Sequence, residues 1–98
     1  MSNSPENILI VGAGGLGLMG VQIARALSNA NIICADLDDE KLGKAKEMGA
    51  HNIVNTKDSE SSKKIMSICN EKGADSVIDF VFLEELHISF TSIENLSC

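Results

Sequence analysis

Glycines at positions 12, 14 and 17 and an aspartate at position 36 are the residues whose types and spacing carry chemistry in this chain. The stretch Ile8-Leu-Ile-Val-Gly-Ala-Gly-Gly-Leu-Gly17 is an apolar run that breaks into glycines and opens a helical pattern at Leu16. In the G-x-G-x-x-G spacing, Gly12 allows the tight turn, Gly14 lets a pyrophosphate approach the backbone, and Gly17 permits close helix–strand packing. The amide hydrogens of Gly15 and Leu16 fall in the first helical turn, where no helical acceptor reaches them. A helix start carries about half a positive charge, so a diphosphate fits there without a basic side chain. Asp36 stands nineteen positions beyond Gly17, the separation at which an acid meets the two hydroxyls of an adenosine ribose. A 2′-phosphate would collide with that carboxylate, and Leu37, Asp38 and Asp39 add no cation to receive it. The dinucleotide that fits is NAD. Lys41 lies five residues later, within reach of the ribose edge or the adenine. The plainer alternatives are a strand-to-helix turn without a ligand, a helix-capping aspartate and a solvated lysine.

These residues need elements to hold them. Ile8 to Val11 is short, β-branched and bounded by Asn7 and Gly12, as a strand buried on both faces would be. Leu16, Met19, Ile23 and Leu27 recur at helical spacing, with Gly20 and Ala24 beside them for close packing on a sheet. Asn31 to Asp36 is a second strand, and Asp38 or Asp39 can cap the next helix. That helix carries Leu42, Ala45 and Met48 on one face and stops at Gly49. His51 to Val54 predicts a third strand. Ser59 or Ser61 would cap a third helix with Ile65, Ile68 and Cys69 inward and Gly73 at its end. Ser76 to Val81 is a fourth strand, and Leu83, Leu86, Phe90 and Ile93 predict a fourth helix. Strands alternating with helices imply right-handed βαβ units, hence an α/β fold with a parallel sheet of about four strands. The doubly wound order is 3-2-1-4, with helices on both faces and a crevice between strands 1 and 4. We read residues 1–98 as one partial dinucleotide-binding domain: a polar leader over 1–6, a βαβαβαβ core over 7–81, and a helix and tail over 82–98.

Composition narrows the partners. With 98 residues, 44% of them apolar and 22% charged, the chain fits one globular unit at the short end of the usual range of roughly 50 to 250 residues. A net charge of -6 and no basic stripe argue against nucleic acid or an anionic membrane. No leader of signal type and no apolar run near the roughly 20 residues of a membrane span is present, so a cytoplasmic location is expected. Cys34, Cys69 and Cys98 form neither a disulfide framework nor a metal-knuckle spacing. No residue here supplies a proton-transfer group for nicotinamide chemistry. The chain has no tyrosine, and His51 and His87 fall outside the crevice. Asp75 and Asp79 flank the fourth strand, and a single carboxylate is not a mechanism. No catalytic or metal-ligating residue is therefore assigned.

Five segments in order resemble the cofactor domain of zinc-dependent medium-chain alcohol dehydrogenases. They are Val11-Gly-Ala-Gly-Gly-Leu-Gly-Leu-Met19, Val21-Gln-Ile-Ala-Arg-Ala-Leu27, Asp36 with Asp39-Glu-Lys-Leu42, Lys46-Glu-Met-Gly-Ala50 and Gly73-Ala-Asp-Ser-Val-Ile-Asp-Phe-Val81. The resemblance runs from about Asn7 to Val81. It implies an NAD(H)-binding Rossmann domain of an oxidoreductase that moves a hydride between an alcohol and its aldehyde or ketone. By motif match, Gly12, Gly14 and Gly17 form the turn, Gly15 and Leu16 bind the pyrophosphate, and Asp36 and Lys41 hold the ribose. Val81 would offer backbone near the nicotinamide ribose, while Phe82 stands where the family commonly has glycine. The zinc ligands of the family belong to another domain, so this piece alone is expected to be inactive. Strand 4 would be an exposed edge, through which the full-length protein could form a homo-oligomer. Two other classes share parts of the pattern: a free-standing nucleotide-binding or sensing module, and a methyltransferase that uses S-adenosylmethionine.

Overall fold

The computed structural model describes residues 6–80 and the short strand at 92–93. In chain order the elements are β1 (Asn7–Val11), α1 (Gly15–Leu27), β2 (Asn31–Asp36), α2 (Asp39–Met48), β3 (Asn52–Asn55), α3 (Ser61–Ile68), β4 (Ser76–Asp79) and β5 (Ser92–Ile93). The first four strands run parallel and lie in the order β3-β2-β1-β4, the doubly wound arrangement read from the sequence. Alternation along the strands sends their side chains to opposite faces. On one face Ile10, Ile32 and Cys34 pack with Val21 of α1 and Ala45 of α2. On the other, Leu9, Ile33, Val54 and Val77 pack with Cys69, Ile65 and Ile68 at α3. Strands 1 and 2 are apolar on both sides because both sides are covered.

The packing of α1 settles which way its apolar stripe faces. Leu16, Met19, Ile23 and Leu27 are 40, 57, 51 and 81% exposed, whereas Gly17 and Val21 are buried and Ala24 packs against the core. The reason is distance. A Cβ on Gly17 would lie 1.8 Å from the Gly12 carbonyl oxygen, and one on Gly20 would lie 2.9 Å from Phe80 Cε2. A helix held this close to the sheet leaves little room along the Gly17, Gly20 and Ala24 line, so Leu18 packs half-buried against the core while Leu16, Met19, Ile23 and Leu27 turn outward. In α2 the expected inner residues Leu42 and Ala45 are buried, but Met48 is exposed at the helix end. Asp38 caps α2 by accepting from the amides of Glu40 and Lys41, and Gly49 closes it at φ 125°.

Four further expectations are corrected. Neither Ser59 nor Ser61 caps α3: its N-cap is Glu60, whose amide is held by Asp58 Oδ1 at 2.8 Å. The helix ends at Ile68, five residues before Gly73, and turns through Asn70 and Glu71 at φ 57° and 65°. The fourth helix was expected to include Ile93, which instead belongs to β5, antiparallel to β4 through Val77↔Ile93 and Ile78↔Ser92. Leu83, Leu86 and Phe90 lie outside the described residues. β4 is therefore not a bare edge, because β5 satisfies the backbone groups that an unpaired strand leaves open.

Because α3 is short, the lower end of its sheet face is finished with carboxamides rather than helix. Asn31 Nδ2 donates to Asn7 Oδ1 at 3.0 Å, and Asn52 Nδ2 to Asn31 Oδ1 at 3.4 Å. Replacing the fully buried Ile33 by alanine should cost about 2–5 kcal/mol, seen as a lower urea midpoint. Ile23→Ala, on the exposed face of α1, should change stability by no more than about 0.5 kcal/mol in the same titration.

Candidate functional site

The glycine turn begins where β1 ends. Gly12 adopts φ 105°, a left-handed conformation that glycine takes without strain, and its amide donates to the Ala35 carbonyl at 2.7 Å. Gly14 is the N-cap of α1, extended at φ -77° and ψ -165°, and as a glycine it brings no capping side chain. The first turn contains no acidic residue. Gly15 is exposed, and a Cβ built on it would meet nothing within 4 Å. Open space beside a helix start without a side-chain cap is what a pyrophosphate requires. Gly17 is glycine for a different reason, since the Gly12 oxygen occupies the place of its side chain.

Asp36 ends β2 next to this turn. Its Oδ2 accepts from the Ala13 amide at 2.7 Å, and its Oδ1 accepts from the Asp38 amide at 2.9 Å. A carboxylate has about four lone-pair sites, so each oxygen keeps one for a further donor. Lys41 is exposed on the first turn of α2, with its backbone amide turned to the Asp38 cap. Asn55, at the end of β3, was not singled out in the sequence. Its Nδ2 donates to Asp39 Oδ1 at 2.7 Å and to the Leu37 carbonyl at 3.3 Å, pinning the loop that follows Asp36. Its only sequence signal is a polar residue closing a strand beside the acidic loop, which many structural asparagines share. Ala13 was equally silent, because a backbone amide has no side-chain signature.

The structure thus brings Gly12, Gly14, Gly15, Leu16, Gly17 and Asp36 together at the carboxyl ends of β1 and β2, with Lys41 on the adjoining helix. Val81 and His87 lie outside the described residues. Asp79 ends β4 in register with Val11, half-buried on the face that Val77 shares. Asp75 sits at the opposite end of the sheet, where its Oδ2 accepts from the Asn7 amide at 2.7 Å. A cavity of about 530 Å³ opens at that same lower end, lined in part by Asn7, Asn31, Asn70 and Asp75, and the glycine turn takes no part in it. Two of its carboxamides, Asn31 and Asn7, bond to each other. Among the described residues no group of three or more His, Cys, Asp or Glu converges as a metal site would.

Cys34 lies under the turn with its Sγ 3.9 Å from the Gly12 oxygen. Burial, and secondarily the charge of Asp36, push its pKa up to about 11, so it remains a neutral thiol. His51, just before β3, also lies away from the turn. Its Nδ1 accepts from the Ile32 amide at 2.9 Å, and Arg25 Nη1 stands 3.1 Å from its Nε2. Desolvation first, then the charges of Arg25 and Lys46, lower its pKa below the ordinary 6.5.

A family model described as "Zinc-binding dehydrogenase" matches residues 15–90. The chain belongs to the zinc-binding dehydrogenase family. It is 43% identical over 75 residues to an "NAD-dependent alcohol dehydrogenase" of Sulfurisphaera tokodaii, covering 76% of this chain and 22% of that protein. It is 40% identical over 70 residues to a "Sorbitol dehydrogenase" of Bacillus subtilis, covering 71% of this chain and 20% of that protein. The alcohol dehydrogenase of Aeropyrum pernix superposes on 78% of this chain and 22% of its own, with a TM-score of 0.73 and 32% identity. The chain therefore spans about a fifth of the length of these family members.

Two outcomes check the site's architecture. Gly17→Ala places a methyl group inside the Gly12 carbonyl, so the helix must lift from the turn. It should lower stability by at least about 2 kcal/mol in urea unfolding, the scale of an overpacked core. For His51, a folded-state pKa below the unfolded value makes its contribution complete above the unfolded pKa and lost as pH falls toward the folded one. The urea midpoint should accordingly drop as the pH falls below about 6.5, the ordinary histidine value, and His51→Gln should flatten that drop.

Proposed function

We propose that this chain is the NAD(H)-binding portion of an alcohol dehydrogenase-like oxidoreductase. The observation that carries the reading is the meeting of Asp36 with the glycine turn, where a single hydrogen bond of 2.7 Å joins the acid to Ala13. The start of α1, whose N-cap is a glycine with open space beside Gly15, supports the pyrophosphate, and Asp36 retains one lone pair on each oxygen for the two ribose hydroxyls. Gly12, Gly14 and Gly17 shape the turn, Gly15 and Leu16 face the phosphates, and Lys41 borders the ribose. Val81 is the proposed neighbour of the nicotinamide ribose. Asp36, Asp38, Asp39 and Glu40 make the surroundings hostile to a 2′-phosphate, which favours NAD over NADP.

The groups fit the cofactor, whose nicotinamide supplies a hydride acceptor or donor when bound. This chain's residues bind and orient it. Residues 7–81 form the proposed nucleotide-binding core. Proton transfer and zinc ligation belong, in this reading, to polypeptide beyond these 98 residues. Alcohols are the proposed substrate class, supported by the names of the family members. Among the described residues no helix is long and apolar enough to cross a membrane, and a cytoplasmic enzyme is the proposed setting.

Calorimetric titration tests the reading directly. NAD should bind at least about tenfold more tightly than NADP, a difference of about 1.4 kcal/mol, and Asp36→Ala should narrow that gap. Equal binding of the two, or binding of S-adenosylmethionine without NAD, would remove the reading.

A further inference from the structure

We infer that Asp36 positions the glycine turn as well as contacting the ribose, so that one carboxylate sets the geometry of both halves of the adenosine diphosphate site. The inference rests on the NAD reading above for its functional meaning, and on the backbone of β1 and β2 for its physical content. The parallel ladder between these strands ends with the Gly12 amide donating to the Ala35 carbonyl. One residue further on, the ladder has no main-chain acceptor for Ala13. The Asp36 carbonyl is turned the other way and accepts from the Thr56 amide beyond β3 at 3.0 Å. Ala13 is 1% exposed, so water does not replace the missing partner. Asp36 Oδ2 supplies it at 2.7 Å and acts as the last rung of the ladder.

Removing that oxygen leaves a buried amide unsatisfied, immediately before the N-cap of α1. The cheapest relief is to rotate the Ala13 peptide toward solvent, which swings Gly14 and Gly15 away from the direction a pyrophosphate needs. The other oxygen holds the Asp38 amide, and Asp38 caps α2, so the same carboxylate anchors the loop bordering the adenosine. Exchanging Asp36 for a residue that suits a 2′-phosphate therefore loosens the phosphate cradle too. Selectivity for the cofactor and affinity for any dinucleotide are tied at this position.

The test separates positioning from ribose contact by using a ligand without ribose hydroxyls. In the unaltered chain, amide hydrogen exchange followed by NMR should show Ala13 strongly protected and Gly15 fast. Ala13 exchanging as fast as Gly15 would overturn the inference without reference to any nucleotide. NMR titration with 2′,3′-dideoxy-ADP should show at least about fivefold weaker binding to Asp36→Ala, the scale of one lost hydrogen bond. Asp36→Asn keeps one acceptor oxygen for two amides, and binding of this probe should recover in proportion to the Ala13 protection that this oxygen restores. Unchanged binding of dideoxy-ADP to Asp36→Ala, or no rescue in Asp36→Asn while Ala13 is protected, sinks the inference. Should neither NAD nor dideoxy-ADP bind the unaltered chain, the NAD reading fails, and Ala13 protection still decides whether Asp36 holds the turn.

Discussion

The structure depends on one close approach, that of α1 to the end of β1. Gly17 lies so near the Gly12 carbonyl that no side chain fits between them. This contact fixes the height of the helix above the sheet and aims its first turn at the crevice. It also forces Val21 and Ala24 beneath the helix and expels Met19, Ile23 and Leu27. The neighbouring strand follows, since β2 must carry Asp36 to the level of Ala13. Fold and candidate site are thus consequences of the same short distance.

The two strand ends of the sheet are finished in different ways. At the carboxyl ends of β1 and β2, backbone amides and one carboxylate face an open space, which suits an anionic ligand with hydroxyl groups. At the amino ends, Asn7, Asn31 and Asn52 bond side chain to side chain, and Asp75 closes back on Asn7. These bonds at the lower end run from one side chain or backbone amide of the sheet to another, whereas the upper end presents the open space beside Gly15. Open α/β sheets take their ligands at the carboxyl ends of the strands, which is the end where the glycine turn and Asp36 lie.

Much of this was legible in the sequence because each signal had a local cause. The parallel sheet followed from the alternation of strands and helices and its order from the doubly wound arrangement, and the ends of α2 were marked by an aspartate at 38 or 39 that can accept from free amides and by Gly49, whose lack of a side chain permits a left-handed turn. Gly12, Gly17 and Asp36 were legible because their spacing reflects fixed turn and strand lengths. What was not legible arose from packing between distant parts. Helical periodicity in α1 identified an apolar stripe but not which way it faced, because the clearance under the helix is set by Gly12 and Phe80. Asn55 and the Ala13 amide act through partners 16 and 23 residues away and leave no pattern near themselves. The strand at Ile93 was missed because two residues give no period to read, and a spacing of three or four imitates a helix.

The outward turn of the α1 stripe divides that helix into two regimes of mutational tolerance. Beneath it, volume is the constrained quantity: a single added methyl group at Gly17 has nowhere to go, whatever its polarity. On its outer side, size is nearly free and chemistry is open to drift, because those side chains support nothing in the turn. A lineage can therefore remake the surface of this helix for new neighbours while its glycine turn stays fixed.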